Sequence, residues 1–362
     1  GEEKFQFNID SHYVLQNDIN LNCSSENQWE PLASQASNPF MGILDGKNYK
    51  VSGIYKVGES NIALFIYNRG TIKNLTLTDG YLEGTGYVAG FVVDNYKEVI
   101  NCKNEVEITC SSGIAGGIVA NNDGGYQEDA VIESCENNAY LSISNNGGGI
   151  CGRNYRGGVV RKCINKHEIY LKDYNLGGVV GSNITADSKM SVVEQCYNIG
   201  NILAYNGYSR YGRGGIVGQN SGIVRYCFNR GTINSNSTSW SIGGIVGTNY
   251  YNNSTGTVEF SYNAGMVVKG TGNENGSAVG GNKAGGTIRN CYAIQIEDME
   301  IVGGTEGTVE NCLELTDEQM KNSEKIILED NSQTNIISLL NAEEERYKDD
   351  TKNENDGYPI FK

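Results

Sequence analysis

The chain has 362 residues, a net charge of −15, and 48 glycines against only 3 prolines. This acidity argues against nucleic-acid binding, because there is no basic surface to neutralise phosphates. Collagen is excluded because the glycines have no three-residue period, and no apolar run approaches the ~20 residues of a membrane span. No paired Cys or His spacing indicates a metal site. We therefore expect no metal and no cofactor.

An apolar glycine strand that ends in asparagine recurs along the chain. Its clearest copies span 148–154, 177–183, 214–220 and 243–249, and weaker copies end at Asn68, Asn95, Asn122 and Asn282. Successive asparagines are separated by 27, 27, 32, 29, 37, 29 and 33 residues. A recurrence of 20–50 residues indicates a solenoid with insertions in its loops. Because the repeat is short, β-rich and without helical periodicity, it predicts an all-β, right-handed parallel β-helix.

A second repeated segment, apolar-charged-x-Cys, lies between the glycine strands. Its charged position alternates in sign through Glu133, Arg161, Glu194, Arg225, Glu259, Arg289 and Glu310. Stacked coils would place these side chains about 4.8 Å apart on an outer face. Opposite charges directly across a ladder are stabilising and like charges destabilising. The alternation therefore predicts a column of charges that helps to fix the register of the coils.

The cysteine of this segment forms its own column, in which Leu75 and Ser261 substitute at two coils. Its members are Cys102, Cys135, Cys163, Cys196, Cys227, Cys291 and Cys312. Disulfides, metal ligands and small buried side chains are the alternatives. Stacked parallel strands hold equivalent Cβ atoms farther apart than a disulfide requires, so we favour buried free thiols. Because the apolar residue and the cysteine are three apart, a bend or bulge is expected between them.

Two further columns follow the cysteines. The first is an asparagine ladder, placed at a predicted turn because Asn tolerates left-handed backbone; it comprises Asn104, Asn137, Asn165, Asn198, Asn229 and Asn263. The second is aromatic, and its rings are expected to stack on one another; it comprises Tyr197, Phe228, Tyr262 and Tyr292.

These columns resemble the Glug-motif repeats of bacterial surface proteins. The Gly-hydrophobic-hydrophobic-Gly motif occurs at 178–181, 215–218 and 244–247, while 17–21 and 40–46 are similar to the coil that precedes such repeats. Segments 339–341 and 355–360 are similar to the closing segment. The resemblance implies a right-handed parallel β-helix on an extracellular or cell-surface, adhesin-like bacterial protein. Some chains with this motif are metallopeptidases directed at immunoglobulin A, but His167-Glu168 lacks the second histidine of a zinc helix, so that activity is not inferred.

The sequence predicts three parts: an N-terminal capping coil at 1–60, β-helix repeats at 61–315 and a C-terminal cap at 316–362. Thr316 to Gln319 is similar to a capping box that begins a helix, and Ile336, Ile337, Leu339 and Leu340 give a second helix an apolar face. Because open solenoid ends are templates for aggregation, we expect both ends to be capped. The final Tyr358 to Phe361 segment is predicted to lie on the last coil.

Parallel β-helices also host enzymes that act on polysaccharides, so a lyase or glycoside hydrolase is the alternative function. Such chemistry needs clustered carboxylates. The candidates are Asp123, Glu128 and Asp129 in one inserted loop, and Asp173 beside Lys172 in another. They are interpreted as solubilising loop residues, so no catalytic residue is assigned.

Aromatic residues in the inserts before successive glycine strands are the stronger candidates for a ligand-binding site. These residues are Tyr174, Tyr205, Tyr208, Tyr211 and Trp240. Equivalent inserts on stacked coils lie on one side of a solenoid, and flat rings with polar tips suit sugars or protein surfaces; the alternative is that these rings only cover the backbone of their own loops. The sequence therefore predicts a non-catalytic, monomeric surface protein that binds a glycan or a host surface protein.

Overall fold

The structure is a computed structural model that describes residues 7–125, 129–204, 212–235 and 241–362. It is nearly all β, with 48% strand and 3% helix, and its parallel sheets stack as a β-solenoid of about nine turns. The predicted fold class is confirmed.

Sheet 1 carries the apolar-charged-x-Cys segments, and adjacent coils pair in parallel along it. Within the described residues its strands are His12–Val14, Ile19–Asn20, Ile43–Asp45, Lys50–Ser52, Thr71–Thr78, Glu98–Asn104, Val131–Glu133, Glu136–Asn137, Val159–Arg161, Ile164–Asn165, Val192–Glu194, Tyr197–Asn198, Ile223–Arg225, Phe228–Asn229, Thr257–Glu259, Tyr262–Asn263, Thr287–Arg289, Tyr292–Ile294, Thr308–Glu310 and Leu313–Leu315.

Sheet 2 carries the glycine strands, each of which follows a short strand and a tight corner. A Cβ on Gly214 would lie 2.0 Å from the carbonyl oxygen of Val217, so this corner requires glycine. In the described part of the chain its strands are Phe65–Asn68, Val88–Ala89, Val92–Asn95, Ala115–Gly116, Val119–Asp123, Gly147–Gly148, Cys151–Tyr155, Leu176–Gly177, Val180–Ile184, Gly212–Gly214, Val217–Asn220, Ser241–Gly243, Val246–Thr248, Glu274–Asn282 and Glu300–Thr305.

Sheet 3 forms the third side of each coil. Three antiparallel hairpins and two short helices of the described residues lie outside the three parallel sheets. The described strands of sheet 3 are Tyr55–Gly58, Tyr81–Gly84, Glu107–Cys110, Leu141–Ile143, Ile169–Leu171, Ile202–Ala204, Ile233–Ser235 and Val267–Val268. The hairpins pair Tyr250–Tyr251 with Ser254–Thr255, Ile326–Ile327 with Gln333–Thr334, and Tyr347–Lys348 with Ile360–Phe361. The helices are Asp317–Met320 and Ile336–Leu340, and the first begins at the predicted capping box of Thr316 and Gln319.

The charged residues form the predicted column on the outer face of sheet 1. Direct register partners run from Glu133 to Glu310 without interruption. The column is divided into pairs, in which each arginine binds the glutamate of the coil before it. The guanidinium to carboxylate distance is 2.7 Å in the pairs Glu133–Arg161, Glu194–Arg225 and Glu259–Arg289.

The cysteine column consists of thiols that bond to the backbone, and all of them are buried except Cys312 at the last coil. All ten cysteines lie in the described residues and are free. The Sγ of Cys196 accepts the backbone N–H of Cys163 at 3.4 Å and lies 3.2 Å from the carbonyl oxygen of Glu194. Ser261 makes the equivalent bonds, since its Oγ accepts the Cys227 N–H at 3.0 Å and donates to a carbonyl at 2.8 Å. Free thiols are confirmed, and Ser261 indicates that the column is used for hydrogen bonding.

The predicted bend lies immediately before each cysteine. The residue at this corner has a φ of 46° to 55° in nine successive coils, namely at Asn74, Asn101, Ser134, Lys162, Gln195, Tyr226, Phe260, Asn290 and Asn311. The asparagines of the ladder are not at that corner. They are buried strand residues, so the explanation by left-handed backbone was wrong for them.

Two asparagine ladders run through the interior, one at the end of the sheet 2 strands and one along sheet 1. In each, the side-chain Nδ2 donates to the Oδ1 of the next coil, as from Asn165 to Asn198 at 2.7 Å and from Asn183 to Asn220 at 2.8 Å. Nδ2 also bonds nearby carbonyls, such as that of Gly200 at 2.8 Å from Asn198. The asparagines thus satisfy buried backbone groups at the corners.

Three rings of the aromatic column stack as predicted, but the final Tyr358 to Phe361 segment does not lie on the last coil, contrary to the sequence prediction. Tyr197 and Phe228 stack with ring centroids 4.6 Å apart, and Phe228 and Tyr262 with centroids 5.0 Å apart. Phe361 packs 5.2 Å from Phe228, and the Tyr347 hydroxyl donates to the Phe260 carbonyl at 3.0 Å. The segment therefore folds back along the side of the solenoid, because the apolar surface it can bury is the lateral aromatic column.

The last coil shows the consequence of this lateral packing. Val309 lies in register with the buried Ile288 but is 37% exposed. The last coil is therefore partly exposed at Val309, although Leu315 of the same coil and Met320 of the helix that follows are buried.

Candidate functional site

The structure describes one of the five predicted insert aromatics. Tyr174 lies in the turn between Ile169–Leu171 and Leu176–Gly177 and is 41% exposed. The other four, Tyr205, Tyr208, Tyr211 and Trp240, lie outside the described residues, so their clustering remains a prediction.

The Tyr174 turn is anchored to the solenoid by two buried polar residues. Asn175 donates to the Gln219 Oε1 at 2.9 Å and accepts the Gly212 N–H at 3.0 Å. Arg213 donates to the Ser235 Oγ at 2.8 Å and to the Asp173 carbonyl at 3.4 Å, and burial lowers its pKa to about 10. The hydrogen bonds of Asn175 and Arg213 therefore connect residues that flank neighbouring inserts to the adjacent strands.

Gln219 belongs to a column on sheet 2 that becomes more exposed in earlier coils. In register order the column is Tyr67, Asp94, Asn121, Arg153, Ser182, Gln219 and Thr248. Its later members and Asn121 are buried, while Tyr67, Asp94 and Arg153 are half-buried. The column therefore leads from beneath the Tyr174 turn onto an open face.

A row of polar contacts crosses three coils of this open face. Arg153 Nε donates to the Asn121 Oδ1 at 2.9 Å, and Asn121 Nδ2 donates to the Asp94 Oδ1 at 2.8 Å. Burial raises the pKa of Asp94, although the Asn121 hydrogen bond and Arg153 oppose that shift. Asp94 is thus a carboxyl whose protonated form is favoured by its surroundings.

A second column lies two residues further along the same strands and so faces the same side. Asp123 accepts Arg156 Nε at 2.9 Å, and both Arg156 and Arg153 lie over the Tyr155 ring, at 5.0 and 5.1 Å. The ion pair with Asp123 raises the pKa of Arg156. In the two coils before Asp123, Arg69 lies 5.4 Å from the Tyr96 ring centroid.

We call these two columns, together with the Arg156 that binds Asp123, the Asp94 face. It comprises Tyr67, Arg69, Asp94, Tyr96, Asn121, Asp123, Arg153, Tyr155 and Arg156. Three arginines meet two aspartates here, on a chain whose net charge is −15. The face combines aromatic rings with fixed donors and acceptors, which is the chemistry that binds polyhydroxylated or acidic ligands.

Sequence reasoning missed most of this face. Asp123 was interpreted as a solubilising loop acid, whereas it is a 6% exposed strand residue paired with Arg156. Asp94 was not considered, although it immediately precedes a ladder asparagine, Asn95, and alignment on that ladder would have placed it beside Asn121. Asp129, Lys172 and Asp173 lie in the described residues but make no hydrogen bond or ion pair with the Asp94 face there, and Glu128 lies outside the described residues.

The fold and the Asp94 face define a parallel β-solenoid with a polar and aromatic lateral surface. No protein-family model matches the chain, and no curated protein matches it. Among solved structures, it is similar to a protein from Bacteroides ovatus described as a putative immunoglobulin A1 protease. That structure has a TM-score of 0.53 and 17% identity, over 98% of this chain and 87% of that one. The similarity shows a shared fold.

Metal-binding clusters and membrane-spanning helices are both absent from the described residues. No group of three or more His, Cys, Asp or Glu side chains in this part of the chain could hold a metal ion. The helices it contains are all too short and polar to cross a membrane. The residues after His167-Glu168 form the strand Ile169–Leu171, and not the helix on which two zinc-binding histidines would lie.

Proposed function

We propose that the chain is a Glug-type, adhesin-like bacterial protein, extracellular or at the cell surface, that binds a glycan or a glycan-bearing host protein through the Asp94 face. The single observation that carries the proposal is the row from Arg153 through Asn121 to Asp94, beside Tyr67 and Tyr155. Its donors and acceptors lie on stacked strands, so they are held in place before a ligand arrives. As a further part of this proposal, the predicted insert aromatics, of which Tyr174 alone lies in the described residues, would extend the binding surface along the solenoid.

A glycan array and a cell-adhesion assay test this proposal with matched variants. Arg153→Gln should lower glycan binding by about tenfold, because it removes a charged donor from the row. Arg161→Gln is the control, since Arg161 is also a partly exposed strand arginine but lies on sheet 1. Replacing Tyr208, Tyr211 and Trp240 together by Ser tests the insert patch, with folding checked by circular dichroism.

Equal binding by the wild type and Arg153→Gln would contradict the assignment to the Asp94 face. Loss of binding in the triple variant with folding intact would support the extension of the site onto the inserts. Unfolding of that variant would instead show that the inserted rings are structural.

A second candidate function is supported by the two carboxyls of the face. Asp94 has a raised pKa, while Asp123 is paired with Arg156, and they occupy diagonal positions on adjacent strands. Glycoside hydrolases use a pair of carboxyls, one of which has a raised pKa. Release of reducing ends from a polysaccharide by the wild type, and its loss in Asp94→Asn, would establish this enzyme instead of the adhesin. The neighbour's described peptidase activity is not proposed, because 17% identity shows the fold alone.

The raised pKa of Asp94 also predicts a pH dependence. The folded protein holds this proton to higher pH than the unfolded chain, whose reference pKa is 3.8. The stability contributed by protonated Asp94 is therefore complete below that value and is lost as the pH rises through the raised pKa. Asp94→Asn should remove this part of the pH dependence in thermal melts, and an unchanged profile would contradict the shift.

A further inference from the structure

A cleft opens beside the C-terminal hairpin, on sheet 1. The Asp94 face, in contrast, lies on sheet 2. The cleft has a volume of about 390 Å³ and lies between sheet 1 and the strand Ile360–Phe361. Apolar side chains form much of its lining, including Tyr197, Ile199 and Phe361. Tyr197 and Phe361 have ring centroids 6.1 Å apart, and Ile199 is 40% exposed. We call this site the Tyr197 cleft.

Three cations and one acid lie around this apolar lining. The cations are Lys166, Arg230 and Lys348, and the acid is Glu354. Lys166 pairs with Glu136, with Nζ to Oε2 at 2.7 Å, and Arg230 pairs with Asp356 and donates from Nη1 to the Asn355 Oδ1 at 2.9 Å. The Lys348 side chain is exposed and makes no hydrogen bond or ion pair with any of the described residues. Lys348 is therefore the cation of the cleft lining whose charge no described carboxylate neutralises.

We propose that the Tyr197 cleft binds a monosaccharide carboxylate, such as a uronic acid. Lys348 would meet the carboxylate, while the apolar lining would accept the C–H face of the ring. Glu354 and the Tyr197 hydroxyl supply hydrogen-bonding groups for sugar hydroxyls, and Glu354 would repel an acid that has no hydroxyls to offer. A volume near the lower end of the range for ligand sites fits one sugar ring.

The ligand would touch two parts of the chain at once. Lys166 and Tyr197 belong to the solenoid, whereas Lys348 and Glu354 belong to the C-terminal segment. A ligand that binds only when these parts are docked stabilises the docked state. Binding should therefore slow hydrogen–deuterium exchange in the hairpin strands Tyr347–Lys348 and Ile360–Phe361.

The test is a titration of the whole chain, labelled with 13C at isoleucine methyl groups, with D-glucuronate. The methyl signals of Ile199 and Ile360 should shift, with an affinity on the order of 1 mM as expected for one sugar, while the signal of the buried Ile245 stays in place. D-glucose tests the need for the carboxylate, and benzoate tests the need for the hydroxyls. Both should bind at least about fivefold more weakly than glucuronate.

Lys348→Gln should weaken glucuronate binding by about tenfold, because it removes the cation with most freedom to reach the carboxylate. Lys352→Gln is the matched control, since it makes the same change of charge at an exposed position outside the cleft. Equal shifts with glucose, stronger binding of benzoate, or equal weakening by Lys352→Gln would each overturn the proposal. Because Arg153 and the Asp94 face take no part, failure here leaves the proposed function standing, and the reverse also holds.

Discussion

The early coils, which carry Asp94 and Arg153, and the late coils, which carry Gln219 and Tyr262, have the same backbone path. They differ in which other parts of the chain cover them. In the early coils, the sheet 2 column is open at Asp94 and Arg153, and Lys103 and Glu136 make an outer ion pair on sheet 1 at 3.5 Å. In the late coils, the equivalent sheet 2 position is the buried Gln219, bound to Asn175, and the outer sheet 1 position is the buried Tyr262.

This difference shows that side chains at equivalent positions decide which part of the scaffold is available to a ligand. Asparagine ladders and thiols build both halves in the same way. In the late coils, the side chains that face outward contact the Tyr174 turn and the C-terminal segment of the same chain. In the early coils, the equivalent side chains are left uncovered.

The largest expected effect is on the packing of the C-terminal segment against the late coils. Tyr347 is fully buried, with its ring 5.2 Å from Phe361 and its hydroxyl bonded to the Phe260 carbonyl. Tyr347→Ala should therefore cost about 3 kcal/mol of docking free energy. Hydrogen exchange should become fast at 341–362 while the early coils stay protected. Tyr49→Ala, at a 36% exposed tyrosine, is the control, and equal protection in both variants would show that the segment is not held by this contact.

The second-largest effect is expected from the asparagine ladder, which runs through the interior of both the early and the late coils. Asn198→Ala should cost about 2 kcal/mol, because Asn165 loses its acceptor and Asn229 its donor in a buried ladder. Asn137→Ala, in the open half, should cost the same within about 0.5 kcal/mol. Denaturant unfolding measures both, with the exposed Asn273→Ala as control. A much smaller cost for Asn137→Ala would mean that the ladders are not equivalent.

How much of this arrangement the sequence could predict depends on whether a column faces inward or outward. The alternating charges, the thiols and the asparagines repeat because each coil has the same corner to fill, so their alignment followed from spacing alone. The lateral position of residues 341–362 did not, since either a solenoid end or an aromatic column such as Phe228 and Tyr262 could bury their apolar side chains. Asp94 was missed because its neighbours in the column, Tyr67, Asn121 and Arg153, share no residue type.

A smaller effect is expected from the charge column. Arg225→Glu should cost about 1 kcal/mol at low salt, because it replaces the partner of Glu194 with a like charge and adds a second beside Glu259. High salt should reduce this cost, since Arg225 is partly exposed. Thermal melts of Arg225→Glu and Arg225→Gln in low and high salt measure it. Equal stability of these two variants at low salt would remove the role of the column in fixing register.

The smallest effect is expected from exchanging a thiol for a hydroxyl. Cys196→Ser should cost less than about 1 kcal/mol, because Ser261 already makes the same two backbone bonds in this column. Cys196→Ala should cost more, since the Cys163 N–H then loses its acceptor. The comparison uses denaturant unfolding under reducing conditions. If Ser proved as costly as Ala, the column would be used for packing and not for hydrogen bonding.

The measurement that tests the central claim most directly is a crystal structure of the chain soaked with oligosaccharides selected from a glycan array. The account predicts an intact glycan on the open half, in contact with Asp94, Asn121 and Arg153 and extending towards the Tyr174 turn. A glycan bound only elsewhere on the solenoid, or a cleaved product beside Asp94 and Asp123, would contradict the account of the chain as a non-catalytic binding protein that uses this face.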